Sequence, residues 1–204
     1  PDSEYDPDGT IADMGAYYFH QTFGCTDPTA INYDPDAEIN DGSCYHDVVT
    51  DIDGNEYQAV QIGEQLWMKQ NLKVTHYNNG DDVQLIYDEE EWDILTIGSY
   101  SFYDNDSSNI DKYGNMYNWF VIENQNNICP ENWHVPSTDE FKELETYLGM
   151  SPSEIDLIGW RGSVENIGGN LKAVGTIEDG DGLWFSPNVG ADNSSGLSIL
   201  PSGK

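Results

Sequence analysis

Residues 50–72 read TDIDGNEYQAVQIGEQLWMKQNL, and the fold turns on how they are taken. Val48, Val49 and Ile52 lead into Asp53-Gly54, a pair that favours a hairpin turn, and Tyr57, Ala59 and residues 60–62 form the returning strand. Asp51-x-Asp53-Gly54-Asn55 also looks like the opening of a calcium loop. No bidentate Glu follows at the required distance, so a turn is expected. Gly63 marks the next reversal, after which Leu66, Trp67, Met68 and Leu72 gather bulky apolar side chains around Asn71.

Downstream, Asn78-Asn79-Gly80-Asp81-Asp82 is a polar turn, and residues 88–93 are an acidic surface stretch with Trp92 embedded in it. Residues 113–120, YGNMYNWF, are dense in aromatics and are expected in the core. Ser137 with Glu140 three residues on is a capping box, and Phe141, Leu144 and Leu148 fall on one helical face before Gly149 ends it. Ser151, Pro152 and Glu154 announce a second, shorter helix. Beyond Gly159 the chain is rich in Gly, Asn and Asp, which points to long loops.

Upstream, residues 23–46 hold two cysteines around an acidic, turn-rich stretch, GCTDPTAINYDPDAEINDGSC at residues 24–44. A disulfide between Cys25 and Cys44 is the economical expectation. Closing a loop of this size contributes about 3 kcal/mol, and such bonds persist outside a reducing cytosol. Asp34, Asp36 and Asp41 suggest an oxygen-ligand site for calcium, against a solvated spacer. An EF-hand fails, because counting from Asp34 the sixth place is Ile39 and the twelfth is Tyr45.

Acidic residues number 38 against 7 basic ones, giving a formal charge of −31. Such a chain repels phosphate backbones and anionic bilayers, so nucleic acid and peripheral membrane partners are excluded, and cations are the natural counter-species. Six Trp, 13 Tyr and 6 Phe set it apart from a disordered acidic tail. No apolar run approaches the roughly 20 residues of a membrane span. The absence of a starting Met suggests an internal piece of a longer exported protein.

Several segments are similar to known families. Residues 1–22, with Asp6-Pro7-Asp8-Gly9-Thr10 followed by Asp13-Met14-Gly15-Ala16-Tyr17, resemble the closing coil of right-handed parallel β-helix proteins; residues 23–46 resemble acidic joints of exported bacterial surface proteins. Residues 47–204 resemble the Fibrobacter succinogenes major paralogous domain through TDIDGNEYQAVQIGEQLWMKQNL, YGNMYNW at 113–119, CPENWHVPSTDEFKEL at 129–144 and, more weakly, LWFSPNVGADNSSGLSILPSG at 183–203. That resemblance implies an α+β, C-type lectin-like domain with twisted antiparallel strands, few helices and long loops. It also implies further strands and a late cysteine, a partner for Cys129, beyond Leu200-Pro201-Ser202-Gly203; without them an exposed sheet edge and a free thiol are expected to favour aggregation.

Catalytic chemistry is weakly signalled. His20, His46, His76 and His134 lack metal-ligand spacing, Cys129 stands before Pro130, and runs such as Glu89-Glu90-Glu91 are expected in so acidic a chain. A non-catalytic module for adhesion or recognition of glycans or surface macromolecules, extracellular or at the cell surface, is the leading expectation. The alternatives are a structural spacer and an accessory part of a polysaccharide-degrading enzyme. Tyr100 and Tyr103, on a loop-like stretch with Phe102, and Trp160 and Trp184, set among glycines, are the candidate sugar-stacking residues. For the first group core packing competes, and for Phe102 it is the favoured role.

Overall fold

The computed structural model describes residues 22–28, 30, 33–40 and 48–202. The expected β-helix coil, apart from Thr22, lies outside the described residues, as do Asp41, Cys44, His20 and His46. The chain divides into two units, Pro1–Asp47 and Val48–Lys204.

In the first unit, β1 (Phe23–Gly24) pairs in parallel with β2 (Ile39–Asn40). The Asp34 amide donates to the Cys25 carbonyl at 2.9 Å, and Thr22 accepts from the amides of Glu38 and Ile39. Proline and the Asp34 carboxylate, which accepts from the Asp36 amide at 2.9 Å, shape the turn between them. Cys25 is buried at its centre.

The second unit opens with the expected meander. β3 (Val48–Thr50), β4 (Glu56–Ile62) and β5 (Gln65–Met68) are antiparallel, with Val49 opposite Tyr57 and Val60 opposite Trp67. Alternation along β4 buries Tyr57 and Ala59 while Gln58 faces solvent. A second small sheet sets β6 (Gln84–Leu85) parallel to β7 (Ser99–Phe102), and β7 antiparallel to β8 (Asn115–Tyr117). Five short helices accompany them among the described residues: α1 (Glu89–Ile94), α2 (Ile110–Tyr113), α3 (Trp119–Ile122), α4 (Thr138–Tyr147) and α5 (Ile167–Leu171). The architecture is mixed α+β, with small sheets and few helices.

α4 begins where the capping box places it: Ser137 Oγ accepts from the Glu140 amide, and the Glu140 carboxylate accepts from the Ser137 amide. Its inward residue, Leu144, is fully buried with Ile62, Met150, Ile167 and Leu197, and burial of such a side chain contributes about 2 kcal/mol. Phe141 meets Trp67 of β5 edge-on at 5.2 Å. A separate core gathers Val74, Tyr77, Phe102, Val121 and Ile128 around Cys129.

Three expectations differ from the structure, and a fourth stretch gains a helix. Tyr100 lies buried in β7 and not on a loop, because the strand is sandwiched between β6 and β8; Phe102 in the same strand packs in the core, the role favoured for it. The acidic stretch lies at the surface as expected and forms α1, since Asp88 accepts from the Glu91 amide at its N-terminus and three glutamates occupy the favourable first turn. At Ser151 there is only a turn. Glu154, the expected capping partner, instead receives the Gly162 amide, so its carboxylate is withdrawn from the would-be helix start. Trp119, placed in the core by its aromatic neighbours, is 64% exposed, with Phe120 beside it also exposed.

Candidate functional site

Asp51 organises the β3–β4 turn. Its Oδ1 accepts from the amides of Asp53 and Asn55, and its Oδ2 from Asn55 Nδ2 at 2.8 Å and the Tyr57 hydroxyl at 2.6 Å. Four donors saturate a buried carboxylate that a calcium loop would have turned to metal. The Tyr57 oxygen also accepts from the Lys73 amide; burial, then the bond to Asp51, pushes its pKa well up.

The next carboxylate in the turn reaches the segment at Thr75 and His76. Asp53 Oδ2 accepts from the amide and hydroxyl of Thr75, while Oδ1 meets His76 Nδ1 at 2.5 Å. Burial acts to raise the Asp53 pKa, but the bonds from Thr75 and His76 outweigh it and the net direction is down. The far nitrogen of His76 lies 2.9 Å from Asp82, and the hydrogen bond to Asp53, with both carboxylate charges, raises the imidazole pKa. His76 therefore joins two turns, and the carboxylates on its two nitrogens favour its protonated form.

Residues 113–118 dock on the irregular segment at residues 72–74. The Asn115 amide donates to the Leu72 carbonyl at 2.8 Å, Asn115 Nδ2 to that of Lys73, and the Tyr117 hydroxyl to that of Val74 at 2.7 Å. Gly114, at φ +69°, lets the chains approach: a Cβ there would lie 2.6 Å from the Leu72 oxygen. Asn118 caps α3 and clips it to β7, donating to the Ile97 carbonyl and accepting from the Ser99 amide. A cleft of about 370 Å³ opens beside this junction, with Asn71, Tyr113, Tyr117 and Ser202 in its walls. Among the described residues that line it, none is charged.

A second feature is a loop tied to α4. Residues 157–164 carry Ile158 and Trp160, both fully exposed, and Val164, also exposed. Their base is fixed. Arg161 makes a two-pronged pair with Glu145 of α4 at 2.9–3.2 Å and donates to the Leu157 carbonyl; Lys142 of α4 bonds Asp156; Gly162 bonds Glu154. The guanidinium charge is neutralised within the loop's own foundation, leaving an apolar, uncharged tip.

Residues 60–204 match the Fibrobacter succinogenes major domain. The chain belongs to that family. No curated protein and no solved structure matches it. Within the family segments seen in the sequence, Gly114, Asn115, Tyr117, Asn118, Ser137 and Glu140 all serve internal hydrogen bonds or close approaches, so the recognisable motifs of the Fibrobacter succinogenes major domain are largely a folding signature here.

The candidate stacking residues separate. Tyr100 is 8% exposed and packs against Phe102 and Tyr117, which commits its ring to the core and corrects its assignment to a ligand surface. Tyr103 stacks on Tyr113 at 4.4 Å, behind the wall of the cleft. Trp184 donates to the Ile199 carbonyl and has Lys172 Nζ 5.3 Å from its ring centre, so one face is covered. Trp160 alone of the four stands fully free. Asp34 serves its local turn and Asp36 is exposed; Asp41, with Cys44, lies outside the described residues. Among the described residues no cluster of three or more His, Cys, Asp or Glu is arranged to hold a metal ion.

Other reactive groups are structurally engaged. His134 bonds Glu140 at 2.6 Å; the Ser137 amide, its hydroxyl and His134 pull that carboxyl down to about 2. Cys129 is buried, which raises its thiol pKa and suppresses the thiolate at neutral pH. Sequence reasoning missed the Arg161–Glu145 foundation, because the pair is 16 residues apart and spans a turn expected to be helical.

Proposed function

We propose that this chain is a non-catalytic recognition module of an exported bacterial surface protein, extracellular or at the cell surface, which binds glycans or surface macromolecules through the loop at residues 157–164. The observation that carries this reading is Trp160, fully exposed on a loop whose base is pinned to α4. An indole presented on a rigid mount stacks on an apolar sugar face at little entropic cost. A C-type lectin-like arrangement of the α+β unit and a Cys25–Cys44 disulfide belong to the same reading. The high acidity and the family membership support export.

The test is a glycan-array screen of the chain, run with calcium and again with chelator, alongside W160A. Trp160 makes no buried contact, so W160A is expected to keep stability within about 0.5 kcal/mol while losing binding. Binding that survives W160A sinks the assignment of the loop. No binding by folded protein in either condition favours a structural spacer.

A further inference from the structure

The motif at residues 113–119 leaves one residue without an internal task. Gly114, Asn115, Tyr117 and Asn118 each meet the fold's own needs, whereas Trp119 is 64% exposed and Phe120 follows it onto the surface. The Asn118 side chain holds the Ile97 carbonyl at 2.8 Å, so Ile97, 51% exposed, stands beside the start of α3. Ile94, three residues earlier at the end of α1, is exposed too. Ile97, Trp119 and Phe120 thus form an exposed apolar strip at the start of α3, tied by the Asn118 bond, and the chain from Ile97 leads back in three residues to Ile94 at the end of α1.

The rim of this strip has one sign. α1, which ends at Ile94, carries Glu89, Glu90, Glu91 and Asp93 on its surface, with Asp88 as its cap and no basic residue in its last turn. Between Lys73 and Lys112 the sequence has no Lys or Arg at all. An apolar centre with Trp at its heart, bordered by uncompensated carboxylates, is the inverse image of a segment that carries aromatic or aliphatic side chains flanked by Lys and Arg.

We propose that the α1–α3 face is a docking surface for a basic, amphipathic polypeptide segment of a partner protein. The Trp119 indole supplies the anchor, with Ile97 and Phe120 packing around the incoming apolar side chains. The α1 carboxylates set orientation and accelerate encounter. This surface is separate from residues 157–164 and does not depend on what they bind.

Calorimetric titration tests it, using the whole chain and three synthetic peptides of one length: alternating Lys and Leu with a central Trp, its Glu-for-Lys counterpart, and a Lys-Ser version without apolar residues. Because a chain of charge −31 attracts any polycation, the discriminating variants are W119A and the α1 set E89Q/E90Q/E91Q, with E143Q on α4 as control. The expected result is binding of the Lys-Leu peptide weakened about tenfold by W119A, with a reduced salt dependence in the α1 set and no change in E143Q. Equal binding of the Lys-Ser peptide, or affinity untouched by W119A, overturns the proposal as unspecific charge attraction. W119A-sensitive binding to zwitterionic lipid vesicles in place of the peptide also overturns it. I97S, which softens the strip without touching the Asn118 bond to the backbone, repeats the test if W119A fails to fold.

Discussion

Residues 113–118 and residues 157–164 are composed alike, each with aromatic or aliphatic side chains beside glycine, and the structure uses them in opposite ways. In the first, Gly114 exists so that the backbone can touch Leu72, and two asparagines spend their amides on neighbouring carbonyls. In the second, Gly159, at φ +96°, has nothing within 4 Å, and contacts are confined to the base. Glycine next to an aromatic therefore says little about burial. What separates the two is whether polar side chains nearby find partners across the fold.

The largest break in that comparison comes from glycine itself. G114A adds a Cβ into the Leu72 carbonyl and Asn71 at a positive φ, and is expected to cost about 4 kcal/mol or to prevent folding; G159A carries only backbone strain, about 1 kcal/mol. Urea melts of the pair measure the difference, and equal midpoints would show that the docking of residues 113–118 is not rigid. Next in size is R161M, which leaves the mostly buried Glu145 carboxylate unpaired. It should cost about 2 kcal/mol and open residues 157–164 to limited proteolysis, with E145Q/R161M recovering part of the loss.

The smallest effect is a pH dependence. His76 has a raised pKa, so the stability it contributes is fully present below its unfolded value of 6.5 and is lost as pH climbs through the higher folded one. Asp53 has a lowered pKa, so its share is present above its unfolded value of 3.8 and fades as pH falls through the lower folded one. Asp82 and Asp53 flank the ring, and the clamp is complete only between those limits. A His76 ring proton that titrates below 6.5 in NMR would contradict the geometry. H76Q should flatten the alkaline limb of the stability curve.

Local signals carried much of the fold. The meander of β3 to β5 and the capped start of α4 were legible because alternation, Asp53-Gly54 and the Ser137–Glu140 box act within a few residues. The β3–β4 turn has five residues instead of two, since Asp51 gathers its own loop amides, a side-chain effect that hairpin rules do not anticipate. Where distant partners decide, the sequence misled: Glu154 chose Gly162, β7 was buried by two strands from elsewhere in the chain, and Trp119 fell outside. Of the candidate site, the exposure of Trp160 was expected from its place in a stretch rich in Gly, Asn and Asp, a loop signal and not a property of any one glycine. The mount beneath it was not.

Cys129 gives the domain a built-in clock. Its thiol is unpaired and 4% exposed, in the same cluster as Val74, Phe102 and Val121. An alkylating reagent can reach it only in moments when that cluster parts, so the rate of adduct formation under native conditions counts those openings directly, without denaturant.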